Sequence, residues 1–143
     1  VKDIKHLWIM GGVNHAPGNI RAVAEFNFNT DPEAVKIVLH SGIEMTMITW
    51  DMCLKHGALF DADLDKLNEL ATKGTKFFMD VNLHVKEFEA QKRNLDAVTC
   101  PDSLAIAIAA DERLMTKSTK YYVDIDLTSS LMRGYNIVDI EGD

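Results

Sequence analysis

Leu7-Trp8-Ile9-Met10-Gly11-Gly12 is the stretch whose reading decides the fold. Four apolar residues in a row, closed by two glycines, fit a strand buried on both faces, as in a parallel sheet. Outward from it, Val13 to Asn29 carries Pro17, Gly18 and four asparagines, and reads as a long ordered loop. Long loops after strands often carry function. Asp31-Pro32-Glu33 then opens a helix, with Asp31 as N-cap and Pro32 at the first helical position. Ala34, Val35, Val38 and Leu39 give it one apolar face, and Ser41-Gly42 ends it. Met45 to Trp50 is a second strand candidate, finishing at Asp51. Strand, loop, helix, strand is the repeating unit of an α/β sheet.

Further along, Leu64, Leu67, Leu70 and Ala71 form one helical stripe, closed by Gly74. Phe77, Phe78, Val81, Val85 and Phe88 form another. Asp102 to Ala110 reads as a short helix, apolar nearly all round and therefore expected to be deeply buried. Tyr121 to Leu127 and Tyr135 to Ile140 alternate like strands, with Arg133-Gly134 between them, so a C-terminal antiparallel strand pair is expected. No repeat, low-complexity stretch or domain boundary is visible, and residues 1–143 read as one domain.

The chain of 143 residues is 47% hydrophobic and 26% charged, which suits a globular protein and not a disordered one. Its net charge of −7 argues against non-specific binding to nucleic acid or an anionic membrane, where each phosphate contact wants a cation. Surplus carboxylates suit a hard metal ion as well as simple solubility. Cys53 and Cys100 make neither a disulfide framework nor a zinc pattern, so a reducing compartment, the cytoplasm, is expected. No apolar run approaches the roughly 20 residues of a membrane span. A signal peptide is not expected, because Lys2-Asp3-Ile4-Lys5-His6 precedes an apolar run that Gly11-Gly12 soon interrupts. Val1 at the start, with a strand-like run close behind, points to a processed or excised piece.

Polar residues crowd the stretch after the first strand: Asn14, His15, Asn19, Arg21, Glu25, Asn27, Asn29 and Asp31. Ligands of open α/β sheets bind beyond the carboxyl ends of the strands, which is where Glu25-Phe26-Asn27 falls. Glu accepts hydrogen bonds, and Asn both donates and accepts, so the pair suits sugar hydroxyls. A polar loop held by its own Asx turns is the competing account. Asp102, after Cys100-Pro101, is an N-cap on the plain reading and a metal ligand or catalytic carboxylate on the sharper one. Asp51 carries the same two readings. Cys100 can be a buried apolar residue, a substrate contact or a nucleophile. His6, His40, His56 and His84 flank strands, helices and a loop without metal-ligand spacing, and Met10-Gly11-Gly12 is too short for a dinucleotide fingerprint.

Taken together, Ile9-Met10-Gly11-Gly12, Pro17-Gly18-Asn19, Ala24-Glu25-Phe26-Asn27 and Asp31-Pro32-Glu33-Ala34 resemble the inosine–uridine preferring nucleoside hydrolase family in order and spacing. Ser41-Gly42 before a strand ending in Asp51 adds to the likeness. So do Pro101-Asp102-Ser103-Leu104-Ala105 and Arg133-Gly134-Tyr135-Asn136-Ile137-Val138-Asp139. The likeness covers essentially the whole chain, and Met10 to Ala34 is its specific part. It implies a Rossmann-like α/β fold, with a mainly parallel sheet flanked by helices. It also implies hydrolysis of the N-glycosidic bond of ribonucleosides to free base and ribose, an activity of purine and pyrimidine salvage, with a tightly held Ca²⁺. By this likeness Met10 lines the ribose site, and Asn19, Glu25 and Asn27 hydrogen-bond ribose hydroxyls. Asp102 ligates calcium and touches the ribose, and Cys100 lines the substrate pocket. Asn27 and Asp102 are the residues expected to carry catalysis. The chemistry is coherent, since departure of the base leaves an oxocarbenium-like sugar that fixed carboxylate and carbonyl groups stabilise.

Two departures stand out. The family's aspartate cluster, D-x-D-x-x-x-D-D, which supplies most calcium ligands and the general base, is absent. The chain is therefore expected to be the central and C-terminal portion of a family member, inactive by itself. Where many members carry His directly before the calcium-binding Asp, this chain has Pro101, preceded by Cys100, which resembles a Cys-containing subgroup. The expected partners are a ribonucleoside and, in a homodimer or homotetramer, further copies of the protein. Nucleic acid and membrane are not among them. The competing account is an inactive ribose-binding or scaffold module that kept the ribose half-site and lost the metal half-site.

Overall fold

The computed structural model describes residues 3–142. The chain forms two compact units, one built from the segments up to Met52 and from Asp102 onward, the other from Cys53–Pro101.

In the first unit, β1 (Leu7–Met10) lies parallel to β2 (Met45–Ile48), in a register running from Leu7 opposite Met45 to Met10 opposite Ile48. Parallel neighbours need a crossover. It is supplied by α1 (Phe26–Thr30) and α2 (Pro32–Leu39). Asp31 caps α2, accepting the Ala34 N–H at 2.9 Å, and Pro32 occupies the first turn, where its missing N–H costs nothing. After β2 comes α3 (Trp50–His56), along which the chain leaves the first unit. It returns in α6 (Pro101–Ala110) and continues through a 3-10 turn at Glu112–Leu114 to β5 (Tyr122–Ile125) and β6 (Asn136–Asp139). These last strands are antiparallel, with Ile125 opposite Asn136, as the alternation in the sequence predicts. Val13, Ala24, Phe28, Ile48, Trp50 and Ile125 are buried. Lys36 and His40, on and just after α2, both bond Asp124 on β5 and tie helix to strand.

In the second unit, β3 (Ala58–Leu59) and β4 (Val98–Thr99) form a short antiparallel pair. Two helices lie between them in sequence, α4 (Asp61–Glu69) and α5 (Lys73–Arg93). Glu89 on α5 is buried, and its carboxylate takes the Arg93 guanidinium and the Thr99 hydroxyl, the latter at 3.0 Å, pinning β4 to the helix.

The α/β class holds, but a mainly parallel sheet is not what the described strands make. They form three separate pairs, of which only β1–β2 is parallel. The β3 and β4 strands are two residues each, and β5 pairs with the strand that follows it in the chain. Four further expectations change. The loop from Val13 ends in a helix at Phe26, because the Glu25 carboxylate caps two of its amides. The second strand stops at Ile48, because the Trp50 N–H bonds the Gly12 carbonyl at 2.9 Å and a helix starts there, which also makes His56 helical. Gly74 does not close a helix. It sits in the first turn of α5, whose cap is Thr72 bonded to the Thr75 amide at 3.0 Å. Finally, α6 is not deeply buried: Ala105 and Ile108 are covered while Ile106 is 71% exposed. An apolar composition fills every side of a helix, yet only the line of residues facing a neighbour is removed from water. On α5 the apolar stripe itself is largely uncovered, with Phe77, Val81 and Phe88 exposed. Among the described residues no helix is long and apolar enough to cross a membrane.

Candidate functional site

The polar cluster assembles where β1 ends. Beyond Met10 the chain turns through Gly11-Gly12 and runs on to the Pro17-Gly18-Asn19 bend. A Cβ on Gly18 would lie 2.2–2.4 Å from backbone atoms of Arg21 and Ala24, so only glycine closes this bend. Asn19, just after it, accepts the Phe26 N–H on Oδ1 at 2.7 Å. The side chain of Asn19 thereby fixes the loop to the start of α1.

Glu25 is the centre of the cluster and only 2% exposed. Its backbone is extended (φ −81°, ψ 150°), as an N-cap requires. Oε1 accepts the Asn27 N–H at 2.9 Å, and Oε2 accepts those of Phe28 at 3.2 Å and Gly12 at 3.0 Å. A carboxylate offers about four acceptor sites. Three are used by the backbone, which leaves one, on Oε1. Asn27 is exposed, and its Nδ2 donates to both the Met10 carbonyl at 3.3 Å and the Met10 Sδ at 3.1 Å. That orientation leaves its Oδ1 as an acceptor. Met10, Asn19, Glu25 and Asn27 are thus linked around the start of α1 by these hydrogen bonds.

Asp51 resolves differently from either of its sequence readings. Its carboxylate accepts the backbone N–H groups of Asn14, His15 and Ala16, the first two at 2.7 Å, and so anchors the loop leaving β1. Burial pushes its pKa up, but the three amide donations outweigh that and hold it below the usual carboxylate value. The side-chain oxygen of Asn14 in the same loop is buried and has no partner.

Asn136 is the residue that sequence reasoning missed. It is 2% exposed, accepting the Val13 N–H on Oδ1 at 2.7 Å and donating from Nδ2 to the Val13 carbonyl at 2.7 Å. Its one signal was membership of the Gly134-to-Asp139 stretch, which no local pattern marks as functional.

Cys100 belongs to the second unit. Its N–H bonds the Gly57 carbonyl at 2.7 Å, continuing the β3–β4 pairing by one residue. The thiol is half-buried, and burial pushes its pKa above the ordinary value, so it is a neutral thiol at neutral pH and a poor nucleophile. Asp102 is exposed in the first turn of α6. Ca²⁺ takes six to eight oxygen ligands. Among the described residues, no group of three or more His, Cys, Asp or Glu side chains is placed to hold a metal ion. Among the described residues the donor set therefore does not by itself fit calcium: Asp102 offers one carboxylate, Asp51 gives both oxygens to three backbone amides, and Glu25 keeps a single acceptor site.

Comparison with known proteins adds an independent observation. A family model described as inosine–uridine preferring nucleoside hydrolase matches residues 1–143. The inosine–uridine preferring nucleoside hydrolase of Crithidia fasciculata is 33% identical over 140 residues, covering 97% of this chain and 43% of that protein. A non-specific ribonucleoside hydrolase of Klebsiella pneumoniae is 34% identical over 143 residues, covering 99% and 44%. Among solved structures, the purine-preferring ribonucleoside hydrolase from Gardnerella vaginalis superimposes with a TM-score of 0.81 at 30% identity, covering 94% of this chain and 42% of that one. The chain thus spans less than half the length of the relatives it matches.

Proposed function

The chain belongs to the inosine–uridine preferring nucleoside hydrolase family, and from that membership we propose that the protein containing it hydrolyses ribonucleosides to free base and ribose. Water adds across the N-glycosidic bond: C1′–N breaks, C1′–O forms, and one water proton ends on the leaving nitrogen. The observation that carries this reading is the convergence of Met10, Asn19, Glu25 and Asn27 beyond the end of β1. Asn27, held by Met10 through its Nδ2, presents Oδ1 to a ribose hydroxyl. Glu25 offers its remaining acceptor site, and its bonds to Gly12, Asn27 and Phe28 keep it from moving as charge develops. Preorganised acceptors of this kind favour an oxocarbenium-like sugar over the neutral ground state.

In the same proposal Cys100 serves as a substrate contact and not as a nucleophile, and Asp102 contributes a carboxylate toward the ribose and toward a calcium ion. The other calcium ligands lie outside this chain's described donors, so no step is assigned to the ion. The parallel β1–α2–β2 crossover is the unit from which a Rossmann-like sheet is built. A cytoplasmic location is part of the proposal, and the two free cysteines fit it.

The test is a reducing-sugar assay on the full-length protein with inosine and uridine. Release of ribose, lost on Asn27→Ala, supports the proposal. Ribose binding without turnover points instead to an inactive binding module.

A further inference from the structure

Asn136 stands at the start of β6, where Ile125 and Asn136 close the β5–β6 ladder. Its carboxamide meets both backbone groups of one residue, Val13, which lies 123 positions earlier in the chain. A side-chain amide here does what a neighbouring strand would do, pairing donor with acceptor and acceptor with donor. Val13 is 1% exposed, so without that pairing its N–H and C=O would lack water as well as partner.

Gly12 lies one residue before Val13. Its N–H goes to Glu25 Oε2 at 3.0 Å, and its C=O takes the Trp50 N–H at 2.9 Å. Gly12 is in the left-handed region at φ +72°, and a Cβ there would sit 2.8 Å from Asn136 Oδ1. The carboxamide is therefore packed directly against the glycine whose amide addresses Glu25. From Asn136 the bonds run to Val13, through one peptide plane to Gly12, and from Gly12 to the carboxylate that caps α1 and bonds the amide of Asn27.

We propose that Asn136 is a positioning residue for the sugar-binding cluster: it sets the Gly12–Val13 peptide so that the Gly12 amide holds the Glu25 carboxylate in place. Its link to turnover rests on the nucleoside hydrolase reading. Its link to the Gly12 amide does not.

The decisive variant is Asn136→Asp in the full-length protein. It keeps size and shape, and one oxygen still accepts the Val13 N–H. The other faces the Val13 carbonyl and can donate to it only when the acid is protonated. Burial raises the pKa of such an acid. So do the carboxylates bonded to the same loop, Glu25 through Gly12 and Asp51 through Asn14 to Ala16. Acid should therefore repair this variant. The variant-to-wild-type ratio of kcat is expected to fall at least roughly tenfold at neutral pH, for the loss of about one buried hydrogen bond. It should climb back toward one as pH drops toward 5, with KM moving less than kcat.

Hydrogen exchange at the Gly12 amide should follow the same pH course, fast at neutral pH and wild-type-like in acid. Asn136→Ala should lose Gly12 protection at every pH, without the acid repair. A pH-independent ratio in folded Asn136→Asp, or Gly12 protection unchanged in both variants, would overturn the assignment. Wild-type protein with no turnover of any ribonucleoside would refute the hydrolase reading, while the exchange measurement would still decide the role of Asn136.

Discussion

Gly12 and Glu25, 13 positions apart, are joined by a buried hydrogen bond of 3.0 Å from the glycine N–H to Oε2. The same oxygen takes the Phe28 amide, and Oε1 takes that of Asn27. One carboxylate thus closes the loop after β1 and starts α1. Its removal leaves the Gly12 and Phe28 amides buried without acceptors, each at about 1–3 kcal/mol. Glu25→Ala in the full-length protein is expected to lower stability by about 2 kcal/mol or more, read as a lower denaturant midpoint at unchanged slope. Glu25→Gln should fall between, since its NH₂ group faces amide donors on one side. A midpoint unchanged in Glu25→Ala would mean that water satisfies these amides.

Asn27 is the exposed member of the cluster, so its removal should spare the fold and cost chemistry. A hydrogen bond that strengthens in the transition state lowers kcat more than it raises KM when lost. For Asn27→Ala the expected fall in kcat is roughly 10–100-fold, the worth of one bond to a charge-bearing site. Steady-state kinetics on inosine checks this, and an unaltered kcat in folded variant protein would remove Asn27 from the catalytic residues.

Asp124 gives the fold an acid sensitivity. Burial pushes its pKa up, but the Ile125 N–H, Lys36 and His40 more than compensate and hold it at about 2, below the usual 3.8. A carboxylate with a depressed folded pKa stabilises the fold above its unfolded value and loses that contribution as pH falls toward the folded one. The contribution of Asp124 is therefore intact above pH 3.8 and disappears on the way down to about 2. Asp51 acts in the same direction through its three amide donors. Melting temperatures from pH 6 to 2 should converge for wild type and Asp124→Asn at the acid end. Parallel curves would show that the Lys36–His40–Asp124 contact adds no pH-linked stability.

How much of this was legible in the sequence follows from how local each signal is. The β1 strand, the Asp31–Pro32 helix start and the closing antiparallel pair each rest on a few adjacent residues, and each is present in the structure. That Asn19, Glu25 and Asn27 lie on one loop leaving a strand end was readable as well, whereas Met10 entered only through the family likeness. Glu25 as an N-cap was not, since Ser, Thr, Asp and Asn are the preferred caps and the deciding Gly12 contact is tertiary. The helix start at Trp50 was hidden in the same way, because a carbonyl of Gly12 terminates the strand. Asn136 was the least visible, for its partner lies 123 residues away and no periodicity points to it. The exposure of Ile106 could not be read from composition, which tells what a helix can bury and not what covers it.

Asp102 leads to the last prediction. It is an exposed carboxylate in the first turn of α6, and no group of three or more metal-type side chains is assembled among the described residues. Calcium prefers six to eight oxygens, and its affinity rises with the number of charged ligands. Residues 1–143 by themselves are therefore expected to give no saturable heat with Ca²⁺ in calorimetry, and no ribose from inosine or uridine. In the full-length protein, Asp102→Asn keeps the shape and removes one charge, so calcium affinity should fall by roughly tenfold or more. Turnover should fall with it and recover in part at higher Ca²⁺, which a change confined to folding would not allow. If Asp102→Asn binds Ca²⁺ as tightly as wild type, Asp102 is only the acidic residue at a helix start, favoured there by the dipole. Tight binding by residues 1–143 alone would place the ion on donors other than the ones named here, and the proposed metal role of Asp102 would have to be abandoned.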